Sequence, residues 1–400
     1  MRERSGRRQR TRGAAAVSIA MPALTLLLTA IAGADAPIKY GDPVSGLTPT
    51  QLTLFTEGRN EFGQAEEADE GLGPVFNNTS CAACHSSPRV GGDSNIVETR
   101  FGRMDGTTFD PMASHGGSLL QVSGIDPTHG CPGETVPADA TIRANRKTTP
   151  LFGLGLVDQV PDATLQQLAQ NQQHTAPDVA GQASIVVDAA SGRQRVGRFG
   201  WKAQVATLLT FSADAYLNEM GITSPIFPKD NAPNGDTAIL DRCDKVASIE
   251  DDGSGVAAFT DFMTMLAPPP RGAMNTEAER GAQIFERIGC AVCHVPQLTT
   301  GASNIPALAN VTFAPFSDFL LHDMGALGDG IVQGAASGRQ MRTAPLWGLG
   351  TRNRYLHDAR ASRLEDAIQA HDGQGSTAAA AFLGLSKADE KDLIKFLQSL

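Results

Sequence analysis

Two copies of Cys-X-X-Cys-His, Cys81-Ala-Ala-Cys84-His85 and Cys290-Ala-Val-Cys293-His294, lie 209 residues apart and use four of the six cysteines in the chain. The pattern is the attachment site of a c-type haem. Two thiols reach the two vinyl groups on one edge of a porphyrin while the adjacent imidazole turns beneath the iron, and no other common motif requires the trailing histidine. A single Cys-X-X-Cys would also suit zinc or a redox dithiol. Two copies with the histidine, behind an export-type N-terminus, point to two covalently attached haems with His85 and His294 as proximal iron ligands.

That N-terminus carries Arg2, Arg4, Arg7, Arg8, Arg10 and Arg12, an apolar run from Ala14 to Ala32 and small residues at Ala34-Asp35-Ala36. Residues 1–36 read as a signal peptide and place the mature chain in the periplasm. The alternative is an uncleaved anchor, since the apolar run approaches spanning length and Pro37 is a poor residue after a cleavage site. Beyond residue 36 no further apolar run reaches membrane length.

Losing residues 1–36 takes the formal net charge from −10 to −14. So acidic a chain is not a nucleic-acid binder. It suits a small electron-donor protein with a basic face, a cytochrome or cupredoxin, whose encounter the charge would speed. Cys131 and Cys243 remain outside the haem motifs, and in an oxidising compartment a disulfide is their simplest state, with free buried thiols as the alternative.

An internal repeat organises the rest. Thr48-Pro49-Thr50-Gln51 and Thr276-Glu277-Ala278-Glu279 each carry N-cap signals ahead of a helix containing Gly-X-X-X-Phe, at Gly58/Phe62 and Gly281/Phe285. Downstream of each haem motif comes a matching turn, Thr149-Pro150-Leu151-Phe152-Gly153-Leu154-Gly155 and Ala344-Pro345-Leu346-Trp347-Gly348-Leu349-Gly350. Each half closes on an amphipathic helix, with Phe259, Phe262, Met263 and Leu266 spaced like Leu393, Phe396, Leu397 and Leu400. Ala267-Pro268-Pro269-Pro270 marks the linker. The fold class is therefore mostly α: two tandem cytochrome-c-like domains, 37–270 and 271–400. The first carries insertions around 160–198 and 222–250 that read as long loops with short strands, Ser184 to Asp188 being the best strand candidate.

Several segments carry a family resemblance: Phe76-Asn77-Asn78-Thr79-Ser80, Gly91-Gly92-Asp93, Leu321-His322-Asp323-Met324-Gly325, the Arg342–Gly350 segment, and Tyr355-Leu356-His357-Asp358-Ala359-Arg360-Ala361. With the tandem dihaem plan, they make the chain resemble bacterial dihaem oxidoreductases known as peroxidases or thiol oxidoreductases. These are similar to dihaem cytochrome c peroxidases and to dihaem enzymes that oxidise tryptophan in a partner protein. Fold transfers from such a likeness better than reaction does. Thiol oxidation finds no support in the residues, because Cys131 and Cys243 lack an activating context.

The resemblance also suggests roles on the far side of each iron, where a second strong ligand suits electron transfer and an open position admits peroxide. For the C-terminal haem it points to His371, delivered by a helix from Arg363 to Ile368, with Met324 and Met341 as rivals. For the N-terminal haem the relatives' distal histidine falls near Arg103, so His115 leads, Met104 follows, and an unligated iron is the third reading. Glu219-Met220-Gly221 resembles the segment that supplies the relatives' acid–base carboxylate, making Glu219 the catalytic candidate. Arg146 and Arg342 precede the two repeated turns and would suit haem propionates. Trp201 would suit either core packing or a relay between haems. Calcium between the domains is the further cofactor this reading leaves open.

The expected function is a periplasmic oxidoreductase in which electrons from a donor protein enter at the C-terminal haem and reach a catalytic N-terminal haem that reduces peroxide or oxidises another small substrate. A non-catalytic dihaem electron-transfer protein and an iron-uptake accessory cytochrome are the alternatives.

Overall fold

The computed structural model describes residues 37–246 and 249–400; the expected signal peptide or anchor lies outside the described residues. The entry helix Pro49–Gly63 begins as the sequence expects, with Thr48 accepting from the Gln51 N–H and the Gln51 side chain accepting from the Thr48 N–H. The second entry helix, Thr276–Arg287, is capped one residue earlier than expected. Asn275 rather than Thr276 is its N-cap, because the Asn275 carboxamide accepts from the Ala278 N–H and asparagine is among the strongest capping residues. The closing helices are Ser254–Met265 and Lys387–Gln398, the latter capped by Ser386.

In each half the entry helix crosses the closing helix at the glycine of Gly-X-X-X-Phe. A Cβ on Gly58 would lie 2.2 Å from the Ala258 carbonyl oxygen, and one on Gly281 would lie 2.1 Å from that of Asp392. Only a residue without a side chain lets the two backbones approach so closely. The phenylalanine one turn later then packs on the haem-motif histidine, Phe62 at 6.1 Å from His85 and Phe285 at 6.4 Å from His294, centroid to centroid. The repeated turns match equally well: Gly153 and Gly348 both have φ 73°, and their N–H groups donate to Leu266 and Leu400, each just beyond its closing helix.

The insertions depart from the expected loops. Residues 162–175 form a regular helix, Asp162–Thr175. The strand expected at Ser184–Asp188 forms with those limits and pairs in a hairpin with Arg193–Gly197. The second insertion contains the short helix Thr237–Cys243, tied to Cys131 by a disulfide. The mostly-α expectation also missed a three-stranded antiparallel sheet in which Val97–Asp105 is flanked by Thr108–Asp110 and Ile142–Lys147. These strands are rich in charged residues, so their apolar alternation is weak, and long-range pairing rather than local pattern fixes them.

Residues 37–400 hold together as one compact unit. One apolar core joins Phe62, Phe262 and Leu266 to Phe313, Phe319 and Trp347 across the proline linker. A smaller core of Phe285, Leu393, Phe396 and Leu397 lies within the second half. No helix among the described residues is long and apolar enough to cross a membrane.

Candidate active site

Each Cys-X-X-Cys-His motif folds into one tight helical turn that brings its residues to one side. Ser80 caps the first, Cys81–Cys84, and the His85 N–H closes on the Cys81 carbonyl at 2.9 Å. The second turn, Cys290–Val292, ends with the His294 N–H on the Cys290 carbonyl at 3.0 Å. His85 Nδ1 donates to the Gly92 carbonyl (3.2 Å) and His294 Nδ1 to that of Phe316 (3.0 Å). A ring that donates through Nδ1 keeps its lone pair on Nε2, the arrangement a metal ligand needs. All four motif thiols are outside disulfides, and burial pushes those of Cys81, Cys84 and Cys290 up, favouring the unionised form.

The C-terminal site presents a second imidazole. The helix expected before His371 is Leu364–Gln369, and His371 Nδ1 donates to the Ala367 carbonyl at 2.8 Å, so its Nε2 is also free. The rings of His294 and His371 face one another with centroids 6.5 Å apart. An imidazole nitrogen binds a transition metal at about 2 Å, so two rings on opposite sides of one ion stand roughly 6–7 Å apart, and the residues fit an iron between them. Burial holds His294 at about 4, the neighbouring His371 adding to the effect, and burial also lowers His371, so both are neutral.

The two rings line a cavity of about 360 Å³ together with Phe285, Met324, Met341 and Arg342. Both rival methionines therefore border it. Arg342 Nε donates to the Gly200 carbonyl and Nη1 to that of Thr343, with burial lowering its guanidinium to about 10. Beside this site His322 joins Cys293 (3.5 Å) to Asp318 (3.0 Å), and Asp318 also accepts from Gln172 at 2.8 Å.

The N-terminal site is different. His115 ends a single helical turn, Ala113–His115, packed against the turn Pro233–Gly235, and none of its hydrogen bonds or ring contacts reaches His85 among the described residues. Met104 is solvent-exposed, and Arg103 is tied to Asp110 and Asp139.

Carboxylates gather near Cys84 instead. Glu219, the penultimate residue of the helix Leu208–Met220, accepts from Asn77 Nδ2 at 2.8 Å, while its backbone carbonyl accepts from the Asn77 and Asn78 N–H groups. The Asn78 amide is 3.8 Å from the Cys84 sulfur. Glu98 meets Glu219 carboxyl to carboxyl and is gripped by Arg100 through both oxygens, at 2.8 and 3.3 Å. Burial pushes Glu219 up to about 8, with the Glu98 charge next in importance. Burial works the same way on Glu98, but Arg100 and then Arg146 outweigh it and hold that carboxyl below its ordinary value. Glu98 and Arg100 escaped the sequence reading because nothing local marks them; their partner lies more than 110 residues away.

Between the sites, Asp93, just beyond the Gly92 carbonyl that holds His85, pairs with Lys147. The Lys147 carbonyl accepts from Trp201 Nε1 at 2.9 Å, and Trp201 stands 6.2 Å from His357 in the cavity wall. Arg146 lies deeper than a propionate role suggests: its Nε donates to Asp329 at 2.8 Å and Nη1 to Gln333 at 2.7 Å, and it is 2% exposed. Lys202 reaches the other oxygen of Asp329 (2.8 Å) and the carbonyls of Ser337, Gly338 and Gln340. A tethered ammonium thus sits in an oxygen cage joining the two halves. Three further carboxylates, Asp230, Asp244 and Glu250, come together in the second insertion.

Residues 135–400 match the family model described as "Di-haem oxidoreductase, putative peroxidase". No curated protein sequence matches. Among solved structures, the chain is similar at a distance to hydrazine synthase of Kuenenia stuttgartiensis (13% identity, TM-score 0.40, 98% of this chain and 100% of that one). It is likewise similar to a MauG-like protein associated with microbial copper homeostasis (15%, 0.42, 92% and 94%) and to the diheme peroxidase BthA of Burkholderia thailandensis (14%, 0.41, 88% and 86%). With two Cys-X-X-Cys-His motifs and a family match over most of its length, the chain belongs to the di-haem oxidoreductase family.

Proposed function

We propose that this chain is an exported, periplasmic peroxidase-like oxidoreductase with two covalently bound c-type haems in tandem halves, one for relaying electrons and one for chemistry. The observation that carries the reading is the inequality of the two sites. His294 faces His371 across the spacing of a doubly ligated iron, whereas the first motif has a buried, protonatable carboxyl, Glu219, beside its Cys84, and among the described residues no second imidazole makes a ring contact with His85.

When bound, the haems supply electron storage, and the one with an open iron position supplies a place for an O–O bond to be reduced. The residues do the rest. His85 and His294, their Nδ1 atoms fixed by the Gly92 and Phe316 carbonyls, would hold the iron centres. His371 completes the C-terminal set and favours the lower potential of an imidazole over a thioether. Arg342 at the cavity wall suits a propionate. Glu219 carries a proton at neutral pH and serves as general acid and base, with Asn77 fixing its orientation. Trp201 lies on the path between the halves, and electrons arrive at the C-terminal side from a small cytochrome or cupredoxin.

The test is peroxide turnover with a reduced small cytochrome or cupredoxin as donor. Glu219→Gln is expected to lower kcat by about 10²–10⁴ while both haems remain attached. Turnover unchanged in Glu219→Gln would contradict the assignment.

A further inference from the structure

The N-terminal site contains two carboxyls in mutual contact where acid–base work needs one. Glu98 lies on the strand Val97–Asp105 and Glu219 near the end of the helix Leu208–Met220, and their side chains share a hydrogen bond. Two carboxylates in contact cannot both stay ionised, so one proton is held between them, and the surroundings decide which residue keeps it.

Those surroundings are lopsided. Arg100, two residues along the same strand and on the same face, places Nε on Glu98 Oε1 and Nη2 on Oε2. Arg146, opposite Glu98 in the neighbouring strand, adds a second positive charge. Glu219 has no such fork; its oxygen accepts from the neutral Asn77 amide. Asp214, five residues earlier on the same helix, and the sulfurs of Cys84 and Cys81 also face the pair.

We infer that Glu98, held ionised by Arg100, is a positioning residue that keeps the exchangeable proton of the N-terminal site on Glu219; the inference rests on the acid–base role proposed for Glu219. Glu98 does not touch substrate in this account. Its charge and its hydrogen bond hold Glu219 in the protonated state and fix which oxygen bears the proton. The directions of the two groups agree: Glu219 is pushed up to about 8 and Glu98 is held down. Asp214 is itself pushed to about 6, mainly by burial, and gives a separate, lower transition.

The experiment is a pH titration of the holoprotein followed by infrared absorption of protonated carboxyl groups, in the parent and four variants. The parent should show a protonated carboxyl lost with a midpoint near 8, and Glu219→Gln should remove it. Glu98→Gln should move that midpoint acidward by at least about one pH unit, and Glu98→Asp, which keeps the charge, should restore most of the shift. Arg100→Met should add one protonated carboxyl beyond those of Glu219 and Asp214 in the parent, as Glu98 loses its counter-ion, and this variant serves should Glu98→Gln not fold. A midpoint unmoved in Glu98→Gln, or an unchanged titration in Arg100→Met, overturns the inference while leaving Glu219 as the acid–base residue. A band near pH 8 that survives Glu219→Gln overturns both.

Discussion

The two Cys-X-X-Cys-His sites share a scaffold and differ in what faces them. Around both, a glycine lets two helices cross, a phenylalanine packs on the motif histidine, and a backbone carbonyl fixes that histidine's Nδ1. Opposite His294 stands a neutral imidazole; beside Cys84 of the first motif lie Glu98, held by Arg100, and Glu219, held by Asn77. The two scaffolds match while the residues that face them differ. The likeness extends to the elements that carry the facing groups: Glu219 lies at the end of, and His371 just beyond, helices that begin at matching places, Leu208 and Leu364, each after a turn closed by a matching bridge, Phe199 to Val205 and Tyr355 to Ala361, whereas Glu98 comes from the sheet of the first half.

The sharpest way to break the comparison is to remove the facing imidazole. His371→Ala should convert the C-terminal iron from low to high spin and open it to cyanide, whereas His115→Ala should leave both iron spectra unchanged. A spectral change in His115→Ala, or none in His371→Ala, would reverse the assignment of the two sites.

A smaller effect is expected where the halves meet. Lys202→Met leaves the buried Asp329 with Arg146 alone and empties the cage of carbonyls from Ser337, Gly338 and Gln340. Breaking a buried ion pair in this way should cost about 3 kcal/mol in denaturant unfolding. Smaller again, and alike in the two halves, should be Gly58→Ala and Gly281→Ala, each about 2 kcal/mol, since each new methyl meets a backbone oxygen of its closing helix. Markedly unequal losses would mean that the two scaffolds are less alike than their geometry.

The parts of this molecule that were legible in the sequence are those whose physics is local. Thr48 and Gln51 cap a helix within four residues, Ser184–Asp188 alternates as a strand should, and the haem motifs are contiguous. The disulfide between Cys131 and Cys243, the simplest state for the two cysteines outside the haem motifs, is present. What stayed hidden depends on distant partners. The strand Val97–Asp105 is specified by pairing with Ile142–Lys147, Glu98 becomes a site residue only beside Glu219, and Arg146 finds Asp329 183 residues away. The polar helix Asp162–Thr175 leaves no helical pattern in the sequence because only Leu165 and Gln172 are buried along it, so its apolar stripe is too thin to register. Ala359 adopts φ 63° without being glycine, keeping the turn that a glycine would favour at a cost of about 1–2 kcal/mol.

The inequality of the two sites is tested most directly by electron paramagnetic resonance of the fully oxidised holoprotein, with and without cyanide. The account predicts one low-spin signal, from the iron between His294 and His371, and an equal amount of high-spin signal from the iron on His85 that alone responds to cyanide. Two low-spin signals, both indifferent to cyanide, would contradict it.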